Sequence, residues 1–296
     1  MFTLSVFGQF AAAFACCIVA FVLWSRRAFH KAVLHKAKQT FESPATADHA
    51  KARRVSLATT QELPEPVQRY LRYSLKEGQP FLRGCKLEQM GQIRLRVTRN
   101  PLEGWLSLKA EQWMSALQPA YVWSAAISWL PLVSLQGYDA CLHGRGEMCW
   151  KLMAAVPVVK VSSDAISTAA LIRFVGECAW CPTALLPSDW LRWEPVSSDS
   201  ATAVVKHAGH TVSATFSFNA VGQITSITTA ERVCVQANGT ASFEKWSAHY
   251  RRWEERSGMM VPLEGEAVWN FADHDFSYVK LRVVSIEHVT EQPVDR

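Results

Sequence analysis

The sequence predicts an α+β protein, mainly β, in which an N-terminal transmembrane helix precedes an antiparallel sheet covered by an apolar helix. Three observations carry this reading. Residues 1–24 contain no charged side chain. After Gly78 apolar residues recur with period two in several separate runs, the pattern of strands with one buried face. Among these runs one segment, 165–180, is apolar almost throughout and contains no proline. The chain of 296 residues is 49% hydrophobic and 19% charged, so it is not a disordered or low-complexity sequence, which would lack the apolar surface to offset chain entropy.

The first element runs from Phe2 to Trp24 and is interrupted only by Thr3, Ser5 and Gln9 among small and apolar residues. As a helix it spans roughly 35 Å, against roughly 30 Å for a bilayer core. Trp24 stands where an interfacial aromatic belongs. No Lys or Arg precedes the run, Trp-Ser-Arg-Arg follows it, and Cys16 and Cys17 lie in mid-span, so an uncleaved anchor fits better than a signal peptide or a lipoprotein signal.

The formal net charge of +5 belongs almost wholly to the next stretch. Residues 25–54 carry Arg26, Arg27, Lys31, Lys36, Lys38, Lys51, Arg53 and Arg54 against only Glu42 and Asp48, a balance of +6 that leaves the rest close to neutral. The positive-inside rule then puts this stretch and the body in the cytoplasm, on a single-pass protein of the inner membrane, with a periplasmic body as the alternative. The basic stretch fixes topology, and a neutral body without a binding motif excludes nucleic acid as a partner. The expected organisation is an anchor over 1–24, a basic juxtamembrane segment over 25–60, one sheet domain over 61–290 and a tail over 291–296.

Within the body, Leu63-Pro64-Glu65-Pro66 opens a helix, since proline suits a first turn, and Val67, Tyr70, Leu71 and Leu75 follow helical spacing. The alternating runs are Ile93, Leu95, Val97; Tyr121 through Trp129; Val212 through Phe218; Leu263, Ala267, Trp269, Phe271; and Val279, Leu281, Val283. Turn signals separate them at Asn100-Pro101, Gln136-Gly137, His143-Gly144, Ala208-Gly209, Val221-Gly222, Asn238-Gly239 and Ser257-Gly258, which suggests about ten strands. Ser162-Ser163-Asp164 supplies N-cap oxygens for the apolar helix from Ala165 to Trp180, and Pro182 and Pro187 stop it. Such a helix amid strands covers a sheet face. Of the six cysteines in the body, Cys178 and Cys181 form a Cys-x-x-Cys that lacks a second ligand pair, so both are expected as buried small residues. No metal and no cofactor is expected.

Several stretches resemble an uncharacterised bacterial domain family, a domain of unknown function that usually follows an N-terminal membrane segment. They are Leu63-Pro64-Glu65-Pro66-Val67-Gln68-Arg69-Tyr70-Leu71-Arg72, Ala110-Glu111-Gln112, Ala179-Trp180-Cys181-Pro182-Thr183-Ala184-Leu185-Leu186-Pro187, Phe216 through Gly222, and Trp246 through Glu266. Together they cover about residues 60–290; Cys181 stands where the family pattern calls for an aromatic. More distantly, the strand, glycine turn and strand around Tyr250-Arg251 and Gly258-Met259-Met260-Val261-Pro262 resemble lipoprotein carriers of the LolA and LolB kind. That resemblance implies a curved sheet, half a barrel, holding an acyl chain beneath a helical lid. Those carriers work outside the cytoplasm, which conflicts with the orientation read from charge.

Three functions follow as expectations. The first is a membrane-tethered module that binds an apolar ligand, a lipid or acyl chain, between the sheet and the helix. Trp123, Trp129, Phe174, Trp180, Leu185, Phe216, Phe218 and Trp269 are its candidate ligand-binding residues, and Glu111, Arg173 and Glu177 its polar candidates. The second is a scaffold pairing with a membrane protein. The third is a hydrolase-like enzyme in which Glu111, Glu177 and Arg173 meet with Asp139 in a cleft. No His-Glu-x-x-His, Gly-x-Ser-x-Gly or phosphate-loop motif supports that third reading, so a protein without catalysis is expected.

Overall fold

In the computed structural model, which describes residues 2–42, 54–131, 133–235 and 241–290, the chain opens with a long helix, α1 (Phe2–Phe41). It continues without a break through the point where the apolar run ends. Phe10, Phe14, Val19, Phe21 and Trp24 are all exposed, and the helix is long and apolar enough to cross a membrane. Its basic half turns back onto protein. Val33, Ala37 and Phe41 are buried against Trp113, Val122 and Ala140 of the sheet. Lys36 Nζ donates to Glu147 Oε2 at 2.8 Å and the Tyr138 hydroxyl to Glu147 Oε1 at 2.5 Å. Burial opposes the Glu147 charge, but these two donors outweigh it and hold the carboxyl below its usual range.

Among the described residues thirteen antiparallel strands form one sheet. They are β1 (Gly84–Arg94), β2 (Trp105–Ser115), β3 (Tyr121–Leu130), β4 (Val133–Leu142), β5 (Arg145–Leu152) and β6 (Val156–Val161) in the first half. The second half has β7 (Leu191–Pro195), β8 (Ser200–His207), β9 (His210–Phe218), β10 (Ile224–Val235), β11 (Ala241–Arg256), β12 (Met259–Asn270) and β13 (Asp275–Val289). Their order is β6-β5-β4-β3-β2-β1-β13-β12-β11-β10-β9-β8-β7. Each half is a meander, and the two join in the centre, where Gly84 pairs with Val289. Consecutive strands therefore sit at opposite edges at only one place, between β6 and β7.

The chain crosses that gap with α3 (Asp164–Glu177), after α2 (Glu65–Ser74) has already formed between α1 and β1. Ser163 caps α3 by accepting from the Ile166 amide, as a serine at that position does. The helix touches β4 and β5 on one side and β9 and β10 on the other, so the sheet curls around it. Two short 3-10 turns, Cys178–Trp180 and Pro182–Leu185, finish the crossing. At its N-terminus α3 presses directly on the sheet: Gly146 donates its amide to Ser167 Oγ at 2.9 Å and accepts from Ser162 Oγ at 2.8 Å. α2 packs Val67, Tyr70 and Leu71 into the same concave face, with Tyr70 against Phe218 and Trp253. Each such buried side chain contributes about 1.5–3 kcal/mol.

Four details differ from the sequence expectation. The sheet has three more strands than expected, and β4 to β6 are among those whose burial does not alternate cleanly. Gln136-Gly137 is no turn but lies inside β4, where a Cβ at Gly137 would come within 2.2 Å of the Trp150 ring, so glycine is needed for packing. The run from Ile93 to Val97 stops at Arg94, whose guanidinium lies over Trp105 and Phe276 and ends the strand by bonding the Ser277 carbonyl; Leu95 and Val97 lie exposed beyond it. The apolar helix ends at Glu177, and Cys178–Trp180 tightens into a 3-10 turn. Asp48, Lys51, Arg53, Asn238-Gly239 and the tail 291–296 lie outside the described residues.

The close approach at Gly146 yields a prediction. A Cβ there would lie 2.5 Å from the Ile166 carbonyl oxygen. Gly146→Val is expected to lower stability by about 1–3 kcal/mol, the usual penalty for overpacking. Thermal unfolding of the full chain in detergent measures it, and an unchanged midpoint would show that α3 does not press on β5.

Candidate functional site

Because β strands alternate, every second residue of β1 to β5 faces α3. The inward set includes polar side chains that form one continuous network. Arg173 on α3 donates from Nη1 to Asp139 Oδ2 on β4 at 2.9 Å and from Nε to Glu177 Oε1 at 2.8 Å. Gln112 on β2 donates to Glu177 Oε2 at 2.6 Å, and Gln89 on β1 donates to Gln112 Oε1. Trp123 on β3 donates its indole to Gln89 Oε1 at 2.9 Å, and Trp150 on β5 donates to Asp139 Oδ1 at 2.9 Å. The Arg173 guanidinium also lies over the Trp123 and Tyr121 rings. The network thereby ties the helix to five strands.

Burial disfavours the Arg173 cation, but Glu177, Tyr121 and Asp139 outweigh it and keep the guanidinium charged. Burial also pushes the Asp139 carboxyl up, and the Arg173 charge offsets only part of that rise. All four carboxylate oxygens of Asp139 and Glu177 accept a bond from a protein donor. That arrangement ties the helix to the sheet through both acids. On the far side Tyr250 on β11 donates to the Gly176 carbonyl at 2.6 Å, and the Trp180 indole to the Pro262 carbonyl on β12 at 2.9 Å.

Between these two sets of ties the helix stands off the sheet, and a cavity of about 420 Å³ remains. This falls in the range of small-molecule sites. Ala169 and Ala170 of α3 form its ceiling, and their small side chains leave the space that larger ones would fill. One wall is Trp123, Ile127, Leu135 and Trp150, and the other is Trp246, Trp269, Tyr278 and Leu281. On this second wall Arg232 lies between the Trp246 and Trp269 rings, 4.5 and 5.3 Å from their centroids. Its Nη1 donates to the Tyr278 hydroxyl at 3.1 Å, while its buried Nε has no hydrogen-bond partner among the described residues.

Of the residues singled out from sequence, Trp123, Trp180, Trp269, Arg173, Glu177 and Asp139 line this cavity. The others do not. Glu111 precedes the inward Gln112 and so faces the convex side, near Arg26 and His30 of α1, far from Glu177. Trp129 would continue the inward series of β3, but a register shift between Ser128 and Leu130 turns it to solvent. Phe174 points away from the cavity and meets the Trp190 ring edge-on. Leu185 lies in the packed core, its carbonyl bonded by the Trp193 indole. Phe216 and Phe218 stack on each other and against Trp193 and Tyr70, so that end of the trough is filled solid.

Arg232, Trp150, Trp246 and Tyr278 also line the cavity and are not among the sequence candidates. A register shift between Thr229 and Arg232 re-aims Arg232, which no alternation count reveals. Trp246, Ala248 and Tyr250 do alternate, and that signal was available. Cys178 and Cys181 are fully buried, and no cluster of three metal-binding side chains occurs among the described residues.

A curved antiparallel sheet wrapped around a crossing helix, with an apolar cavity between them, defines the class of protein. Residues 53–281 match the family of unknown function DUF6544, and the chain belongs to that family. The match spans all the stretches on which the family resemblance rests. No curated protein matches. Among solved structures the chain is similar to a LolA superfamily protein from Nitrosomonas europaea, with 7% identity over 77% of this chain and 93% of that one and a TM-score of 0.41. It is also similar to a β-barrel-like protein of the domain of unknown function DUF1849 from Brucella abortus, with 7% identity over 70% of this chain and 98% of that one and a TM-score of 0.22.

The buried cluster gives a test with a defined sign. Asp139 has a raised folded pKa, so its contribution to stability is full below the unfolded value and falls as pH rises through the folded one. Arg173→Met removes the cation that limits this fall. The variant is expected to lose about 3–5 kcal/mol, the usual result of breaking a buried pair, and to lose more at neutral than at acid pH. Thermal unfolding in detergent at both conditions decides it; an equal loss at both would mean that Asp139 is not left as an uncompensated charge.

Proposed function

We propose that this protein is a membrane-tethered binding module for an apolar ligand, a lipid or acyl chain, held between the curved sheet and α3. The observation that carries the proposal is the 420 Å³ cavity with four tryptophans on its walls and ceiling-forming alanines on the helix. Ligand sites are mostly apolar with a few fixed polar groups, and here Arg173 and Arg232 supply one on each side. A crossing helix packed only to stabilise the fold would be expected to fill this space. In this reading α1 spans the inner membrane, and its basic half, from Arg26 to Lys38, places the body in the cytoplasm.

Against the enzyme reading, Glu111 and Glu177 lie on opposite faces of the sheet. The remaining trio of Arg173, Asp139 and Glu177 is bonded within itself and to Gln112 and Trp150.

Native mass spectrometry of the full chain released from detergent micelles tests the proposal. Titration with a fatty acid and with a phospholipid is expected to give one-to-one adducts with at least one of them. Ala169→Phe, which fills the ceiling, is expected to abolish them while leaving the unfolding midpoint close to that of the parent. Bare protein at every ligand concentration would overturn the proposal.

A further inference from the structure

Helix α1 defines where a membrane would lie, and one end of the sheet matches that position. From Phe41, which lies against Gly84 at the start of β1, α1 runs diagonally over the convex face. Phe29 stacks on Tyr138, and Arg26 reaches Met153 Sδ in the β5–β6 turn. Ser25 is the last buried residue, and Trp24 is 66% exposed. The helix thus leaves the body at the end of the sheet that carries the β5–β6 and β3–β4 turns. Met153 and Ser134 tie these two turns together, with the Met153 amide donating to the Ser134 carbonyl at 2.8 Å.

That end is apolar where a protein surface in water is usually polar. Trp129 and Leu130 at the end of β3 are 49% and 61% exposed. Arg94 pairs with Trp105 and Leu108 with Ile127, so the last residues of β3 run toward the same end of the sheet as the β1–β2 loop. Leu95, Val97 and Leu102 stand exposed on that loop, Leu102 at 87%. Val156 follows the β5–β6 turn and is exposed as well. Arg26 and Arg27 next to Trp24 and Arg96 on the loop supply a charge suited to anionic headgroups, while Arg99 is paired with Asp273. Leu95 belongs both to this rim and to the cavity lining, so the cavity reaches the rim.

We propose that this rim is a membrane-docking surface, seated in the interface of the same bilayer that α1 enters, so that the cavity opens onto the lipid surface. Leu102, Trp129 and Leu130 enter the headgroup and upper acyl region, and the arginines meet phosphates. The inference rests on α1 as a membrane span, and it goes beyond ligand binding by stating how the body is oriented and where an occupant would enter.

The test places the photo-crosslinking residue p-benzoylphenylalanine at Leu102, at Leu130 or at Val221 in the full chain, expressed in cell membranes. Val221 is similarly exposed but lies in the β9–β10 turn beside α2, away from the rim. After irradiation, lipid adducts are read by mass spectrometry, and a carbonate wash reports whether the chain is integral. The expected result is an integral protein with adducts at 102 and 130 several-fold above those at 221. An integral protein with no adducts, or with equal adducts at all three positions, would overturn the rim and leave the tether intact. Release by carbonate would overturn the tether and the rim with it.

Discussion

Helix α3 has to carry the chain from one edge of a thirteen-stranded sheet to the other, because β6 and β7 are the two outermost strands. The shortest route lies across a face of the sheet. A helix of 14 residues spans roughly 21 Å, far less than the width of a flat sheet of this many strands at about 4.8 Å each. The sheet therefore curls until α3 touches β4 and β5 on one side and β9 and β10 on the other. Curvature, the enclosed trough and the covering helix all follow from this single connection.

What fills the trough differs along its length. Toward β8 and β9 it is solid, packed by α2, Phe174, Leu185 and the Phe216–Phe218 pair. Toward β3 to β5 the helix is held by the Arg173 cluster, and that hold is directional where aliphatic packing is not. Buried charges are weak sources of stability, but they fix geometry when every partner is satisfied. Here the cluster sets the height of α3 above the sheet, and the alanines on its underside leave the space beneath it open. The two effects together produce a cavity where a leucine-faced helix would have produced core.

Much of this was legible in the sequence. The uncharged run to Trp24, the alternation at Tyr121–Ile127 and Val212–Phe218, and the capped apolar helix after Ser163 each express a local rule, and local rules survive folding. The site was legible only in part. Arg173 and Glu177, four apart on a helix, were bound to share a face, and Trp123 followed its strand's alternation. The rest depended on events no local pattern records. Bulges turned Trp129 outward and Arg232 inward. Glu111 is one residue from Gln112, and that single step sends it to the opposite face. Whether Phe216 meets a cavity or solid core depends on where α2 packs, which is a property of the tertiary structure.

In the proposed arrangement a tether, a cavity and a rim hold an apolar molecule between sheet and helix beside a membrane. The central claim is that the cavity is occupied. The most direct measurement is a crystal structure of the full chain, purified in mild detergent and loaded with a fatty acid brominated along its chain, with the bromine located by anomalous scattering. The account predicts bromine between α3 and the ring walls of Trp123 and Trp269. Bromine found only along the outer surface of α1, with the space under α3 holding ordered water or nothing, would contradict it.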